Sequence, residues 1–133
     1  MSTTTVDSTP TCKPFGSYRI PLDTDRVRCT RQSVLAASLV GLDRQAGWEA
    51  AIAVTELVKN ALKFAERGIL ELRIIEGVKR GLEVMVNDEG SGIVDIEQED
   101  SEGLRAVRHL MDEMQIENVL GGGTRIVARK WCR

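Results

Sequence analysis

Glu56 and Asn60 stand four residues apart in a stretch that reads as a helix, so their side chains share one face, a turn apart. A carboxylate above a carboxamide can divide the work of phosphoryl transfer. The amide oxygen of Asn60 is a hard ligand suited to Mg²⁺. The carboxylate of Glu56 can orient or deprotonate an attacking hydroxyl. The same pair is also what the solvated edge of an apolar helix looks like. Further on, Asp88-Glu89-Gly90-Ser91-Gly92 follows a strand directly. Its glycines allow close approach to a flat ligand, and a buried Asp at a strand end can accept a hydrogen bond from an exocyclic amine such as that of adenine. A plain turn uses the same residues. Gly121-Gly122-Gly123-Thr124 precedes the last strand and reads, by itself, as a hairpin loop. The three together form an ordered set that no one of them makes alone.

These residues need elements to position them. Met1 to Pro14 is rich in Ser and Thr and reads as a disordered tail, which leaves 15–133 as one domain. Ser17 to Leu22 alternates, with Tyr18, Ile20 and Leu22 on one face, and is expected to be the first strand. Asp23 or Thr24 can cap a helix carrying Val27, Val34, Leu35 and Leu39 that stops at Gly41. Asp43 can cap a longer helix to about Glu66, with Ala50, Ile52, Ala53, Leu57, Ala61 and Phe64 as apolar positions and Gly68 after its end. Ile69 to Glu76 and Leu82 to Asn87 read as a hairpin. Ser101 can cap a third helix carrying Leu104, Val107, Leu110, Met111 and Met114. Strands near Ile116 to Leu120 and at Thr124 to Trp131 close the chain. The order β-α-α-β-β-α-β-β predicts an α/β (α+β) two-layer sandwich, with a mixed, mostly antiparallel sheet and three helices on one face.

Composition narrows the function classes. The 133 residues fit one core. A net charge of −2 gives no broad attraction to nucleic acid or anionic membrane, and 4% aromatics leaves few stacking platforms for single strands. No apolar run approaches a membrane span, and no signal peptide is recognisable. Three cysteines without CxxC spacing read as free thiols of a reducing, cytoplasmic compartment.

The ordered set resembles the N box, G1 box and terminal Gly-Thr of the histidine-kinase-like (GHKL) superfamily. The local text is closest to its small serine-kinase switch proteins and anti-sigma regulatory factors of the stressosome type. It runs through Thr55-Glu56-Leu57-Val58-Lys59-Asn60, Asn87-Asp88-Glu89-Gly90-Ser91-Gly92-Ile93, Gly103-Leu104-Arg105-Ala106-Val107-Arg108-His109-Leu110-Met111-Asp112-Glu113 and Gly123-Thr124-Arg125-Ile126. The resemblance implies a Bergerat-type ATP-binding fold and the cofactors ATP and Mg²⁺. It implies Glu56 as catalytic base, Asn60 as metal ligand and Asp88 as reader of the adenine amine. Gly90, Gly92 and Ile93 would shape the adenine pocket, Thr124 would reach the adenine edge through water, and Gly103 would be what remains of the phosphate-binding glycines. It also implies partners: an antagonist protein of the STAS fold that is phosphorylated on serine, and a downstream regulatory protein or sigma factor. A homodimer is left open.

One segment departs from the family pattern. Where the family has a glycine-bearing ATP lid, this chain has a shorter connection, Val94 to Gly103, with one glycine and five carboxylates: Asp95, Glu97, Glu99, Asp100 and Glu102. Each lost N–H to phosphate bond forfeits about 1.5–3 kcal/mol. A carboxylate about 4 Å from a phosphate adds about 1–4 kcal/mol of repulsion. Asp100, Ser101 and Glu102 are equally a good acidic helix start. Two readings follow: a regulatory serine-protein kinase, or a catalytically silent interaction module on the same fold. Arg105, Arg108, His109 and Asp112 are expected on the outward side of the third helix. Arg26, Arg28 and Arg31 on the first helix are expected to help dock an acidic partner.

Overall fold

In a computed structural model, residues 11–90, 101–120 and 122–133 are described. Among them the order is β1 (Thr11–Ile20), α1 (Arg26–Val40), α2 (Arg44–Phe64), β2 (Gly68–Glu76), β3 (Gly81–Asp88), α3 (Glu102–Leu110), β4 (Glu113–Asn118) and β5 (Thr124–Trp131). The strands form one sheet in the order β1-β2-β3-β5-β4, and every pairing is antiparallel. Leu70, Leu72, Leu82, Val84, Val86, Ile126 and Ala128 face the helices and make the floor of the core. This is the expected two-layer sandwich, with a wholly antiparallel sheet in place of the expected mixed one, because each neighbouring pair of strands runs in opposite directions.

β1 starts earlier than the sequence pattern suggests. Thr11 to Pro14, expected in the tail, pairs with Arg73 to Glu76, and the register shifts between Pro14 and Gly16. Pro14 breaks the alternation, but an edge strand tolerates a missing donor and a bulge absorbs the extra residue. Leu22, expected on this strand, sits in the turn after Pro21 and is exposed.

Asp25, not Asp23 or Thr24, caps α1, its side chain accepting from the Arg28 N–H at 2.9 Å. Gly41 ends the helix in the left-handed region at φ 100°. The buried face of α1 is Cys29, Ser33, Ala36, Ala37 and Val40, whereas Val27, Leu35 and Leu39 are exposed. Small residues win because they let two helices approach closely: a Cβ on Gly47 of α2 would lie 3.5 Å from the Ala37 Cβ. Asp43 caps α2 as expected. Ala50, Ala53, Leu57 and Ala61 are buried, but Ile52 is not.

Ser101 caps α3 by accepting from Leu104 N at 3.3 Å. The helix stops at Leu110. Met111 lies just past it, still buried, and Met114 belongs to β4, which starts earlier than the expected Ile116. The Lys130 ammonium, itself buried, donates to the Leu110 carbonyl and pairs with Glu49 at 3.3 Å, so it ties the C-terminal end of α3 to α2. The three cysteines are free, and burial pushes the Cys29 thiol above its ordinary pKa. No described helix is long and apolar enough to cross a membrane.

Candidate functional site

The candidate site has two clusters of polar side chains, one on the second half of α2 and one where β3 meets β5. One cluster comprises Glu56, Asn60, Ser101 and Gly103, which line a common cavity of about 650 Å³. Glu56 is half-buried and pairs with Lys59 at 3.5 Å. The first turn of α3 closes against it. A Cβ added to Gly103 would come within 3.0 Å of Glu56 Oε2, so only glycine allows this approach without a shift. One turn along α2, Asn60 is buried, and its Oδ1 accepts from the Ser101 hydroxyl at 3.3 Å. Its Nδ2 is buried with no hydrogen-bond partner among the described residues. An orphaned amide beside a helix N-terminus is a site whose polar groups await something.

The second cluster lies where the interior strands β3 and β5 meet, at the end of one and the start of the other. Asp88 ends β3 and pairs in register with Thr124 at the start of β5. Both are buried. Asp88 Oδ1 accepts from two backbone groups, Gly90 N at 3.1 Å and Thr124 N at 3.1 Å. These bonds fix the carboxylate plane and leave its second oxygen for another donor. Two glycines make this packing feasible. A Cβ on Gly123 would stand 2.3 Å from the Asp88 carbonyl oxygen, and its φ is +97°. A Cβ on Gly90 would crowd Asp88 Oδ1 at 3.2 Å and the Ala65 Cβ at 3.3 Å, where α2 ends.

Of the sequence-expected residues, Glu56, Asn60 and Gly103 are brought together, as are Asp88, Gly90 and Thr124. Gly92 and Ile93, like Asp95, Glu97, Glu99 and Asp100, lie outside the described residues. Ser101 was legible as a helix cap but not as the partner of Asn60, because no local pattern signals a contact 41 residues away. Arg105, Arg108 and His109 are exposed on α3, as expected. Of the three α1 arginines, Arg28 lies over the Tyr18 ring at 5.9 Å, so it turns toward β1.

The donor set suits Mg²⁺ bound with phosphates. Such an ion keeps several waters and takes one or two protein oxygens. Asn60 Oδ1 is an oxygen of this kind and would hold such an ion. Among the described residues no group of three or more His, Cys, Asp or Glu forms a metal cage.

A family model described as the histidine kinase-like ATPase domain matches residues 20–130. The serine/threonine-protein kinase RsbT of Bacillus subtilis (strain 168) is 36% identical over 92 residues, covering 61% of this chain and 69% of that relative.

Proposed function

The chain belongs to the histidine kinase-like ATPase domain family, and from that premise we propose that it is a regulatory serine/threonine-protein kinase using ATP and Mg²⁺. Its substrate would be a serine on a small antagonist protein of the STAS fold, and its output the exchange of a downstream regulatory protein or sigma factor between complexes. The carrying observation is the Glu56–Gly103 approach. It sets a carboxylate against the N-terminus of α3, one turn from the buried Asn60 amide.

The residues divide the work by their chemistry. Glu56 orients the serine hydroxyl and takes its proton. Asn60 offers its amide oxygen to Mg²⁺, which supplies charge neutralisation on the phosphates when bound. Asp88 is fixed by the Gly90 and Thr124 N–H groups, and its remaining acceptor capacity would read the adenine amine. Gly90, Gly92 and Ile93 would shape the adenine pocket, and Thr124 would contact the adenine edge through water. The N–H groups at the start of α3, beginning near Gly103, would bind the phosphates.

A second reading has its own support. The Ser101 hydroxyl already engages the Asn60 oxygen that would hold the metal, and the connection before α3 is acidic and poor in glycine. Both favour a silent interaction module. Incubation with γ-labelled ATP, Mg²⁺ and a purified STAS-fold antagonist separates the two. Label on the antagonist that vanishes in Glu56→Gln supports the kinase. No label, with no nucleotide bound at millimolar concentration, supports the silent module.

A further inference from the structure

α2 carries a second seam besides the one it buries. Trp48, Ile52, Thr55, Lys59 and Leu62 follow one another at steps of four, three, four and three, the spacing at which a helix meets another helix. Trp48 is 47% exposed, Ile52 48% and Leu62 42%. Facing them, α1 exposes Val27 at 66%. Between the two helices lies a groove of about 470 Å³ whose floor includes the buried Cys29, Ala51 and Val58. A shallower hollow beside it, lined by Val27, Val34 and Trp48, extends it along α1. At its other end the groove shares Glu56, Lys59 and Leu62 with the cavity of the candidate active site. A row of large apolar side chains left in water beside a groove floored by small residues marks a contact surface.

Charge selects the occupant. α1 contains Arg26, Arg28 and Arg31 and no acidic residue from Arg26 to Val40. Arg26 and Arg31 line the groove and its extension, and neither has an ion-pair partner among the described residues. A second copy placed symmetrically over this groove would bring cation onto cation across the two-fold axis. A helix with acidic residues flanking its apolar stripe would instead match the rim. We propose that the α1–α2 groove is the docking site for an amphipathic, acid-flanked helix of a partner protein, laid along the Trp48–Leu62 seam as a third helix. The seam is roughly 20 Å long, about four helical turns. Resting on the reading of Glu56 as base, the docked helix lies where the partner's hydroxyl can reach it. The docking itself does not depend on that reading.

The test uses the full chain with Trp131→Phe, so that Trp48 is the remaining indole. It is titrated with two blocked helical peptides of about 18 residues. They share one leucine seam at heptad spacing and carry flanking Glu in one and flanking Lys in the other. The Glu peptide should shift Trp48 emission and bind at least about tenfold more tightly than the Lys peptide, with the preference shrinking as salt rises. Ile52→Asp, and separately Arg26→Glu with Arg31→Glu, should each weaken the Glu peptide about tenfold while leaving binding of a fluorescent ATP analogue unchanged. Equal binding of the two peptides, or binding of neither, overturns the proposal. So does a dimer in sedimentation that dissociates in Ile52→Asp, which would assign the groove to a second copy. If the unmodified chain binds no nucleotide but keeps the Glu-peptide preference, the kinase reading fails and the docking site stands.

Discussion

Asp88 and Asn60 are the buried polar side chains of the two clusters of the candidate site, and they are held in opposite ways. Asp88 Oδ1 accepts from two backbone N–H groups, that of Thr124 across the β3–β5 pairing and that of Gly90 two residues on, and Gly123 is pressed against the Asp88 carbonyl where no other residue fits. Asn60 has one long hydrogen bond from Ser101 and, among the described residues, an amide nitrogen with none. On the proposed function, the end completed by the fold itself would hold the base, the part of a nucleotide that does not change. The end with the orphaned amide would hold the phosphates and metal, where the chemistry occurs.

The largest effect that would break this comparison is catalytic. Glu56→Gln keeps the shape beside Gly103 but cannot take a proton, so phosphoryl transfer should fall by about a hundredfold or more. Nucleotide affinity and partner binding should stay within about tenfold. An enzyme-dependent transfer rate unchanged in Glu56→Gln would remove the base from this end of α2.

Stability distinguishes the two ends next. Asp88→Ala strands the Thr124 and Gly90 N–H groups, at about 1–3 kcal/mol each. That is a large share of a typical domain stability of about 5–15 kcal/mol. Asp88→Asn keeps an acceptor oxygen for them and should retain most of the stability, while turning a donor toward the adenine amine and weakening nucleotide binding. Asn60→Ala should cost less than about 1 kcal/mol, because it deletes an orphan as well as a weak bond, yet it should remove the Mg²⁺ dependence of ATP binding. Denaturant unfolding of the three variants checks the order. Asn60→Ala unfolding as readily as Asp88→Ala would show that the amide is a structural fixture.

A smaller effect concerns the phosphates. With one glycine and five carboxylates from Val94 to Gly103, ATP–Mg²⁺ is expected to bind at about 0.1–1 mM, and ADP about equally. Replacing Glu99, Asp100 and Glu102 by Ser should strengthen ATP binding more than adenosine binding, since only phosphates feel the removed charge. Calorimetric titration showing ATP below about 10 μM and strongly preferred over ADP would contradict the weak-cradle account.

How much of this was readable in the sequence depends on whether the signal is local. Caps, turns and periodicity are local, and they located Asp43, Gly41, Ser101 and the β2–β3 hairpin. The motif residues on single elements, Glu56 with Asn60 and Asp88 with Gly90, were legible for the same reason. The face of α1 was not, because hydrophobicity favours Leu35 and Leu39, whereas close helix packing selects Ser33, Ala36 and Ala37. That same inversion leaves the large residues outside. Ser101 meeting Asn60, and Gly103 meeting Glu56, are tertiary contacts between residues far apart in sequence, and neither residue carries a pattern that announces its partner.

Ser101 offers the smallest and most discriminating test, because its two bonds pull in opposite directions. Its oxygen caps α3 by accepting from Leu104 N, and its hydroxyl donates to Asn60 Oδ1. Ser101→Ala loses the cap, which costs about 0.5–2 kcal/mol and lowers the melting temperature by a few degrees. It also withdraws the competing donor from the one oxygen of Asn60 that a metal can use. A neutral hydrogen bond of this kind is worth about 0.5–1.5 kcal/mol, so the Mg²⁺-dependent part of ATP affinity should rise about two- to tenfold as stability falls. If both fall together, the Ser101 bond serves to aim the Asn60 oxygen rather than to occupy it. The unfinished end of the site would then be preorganised after all, and its contrast with Asp88 would be one of hydrogen-bond number alone. Thermal melts and ATP titrations with and without Mg²⁺ on this single variant give both signs.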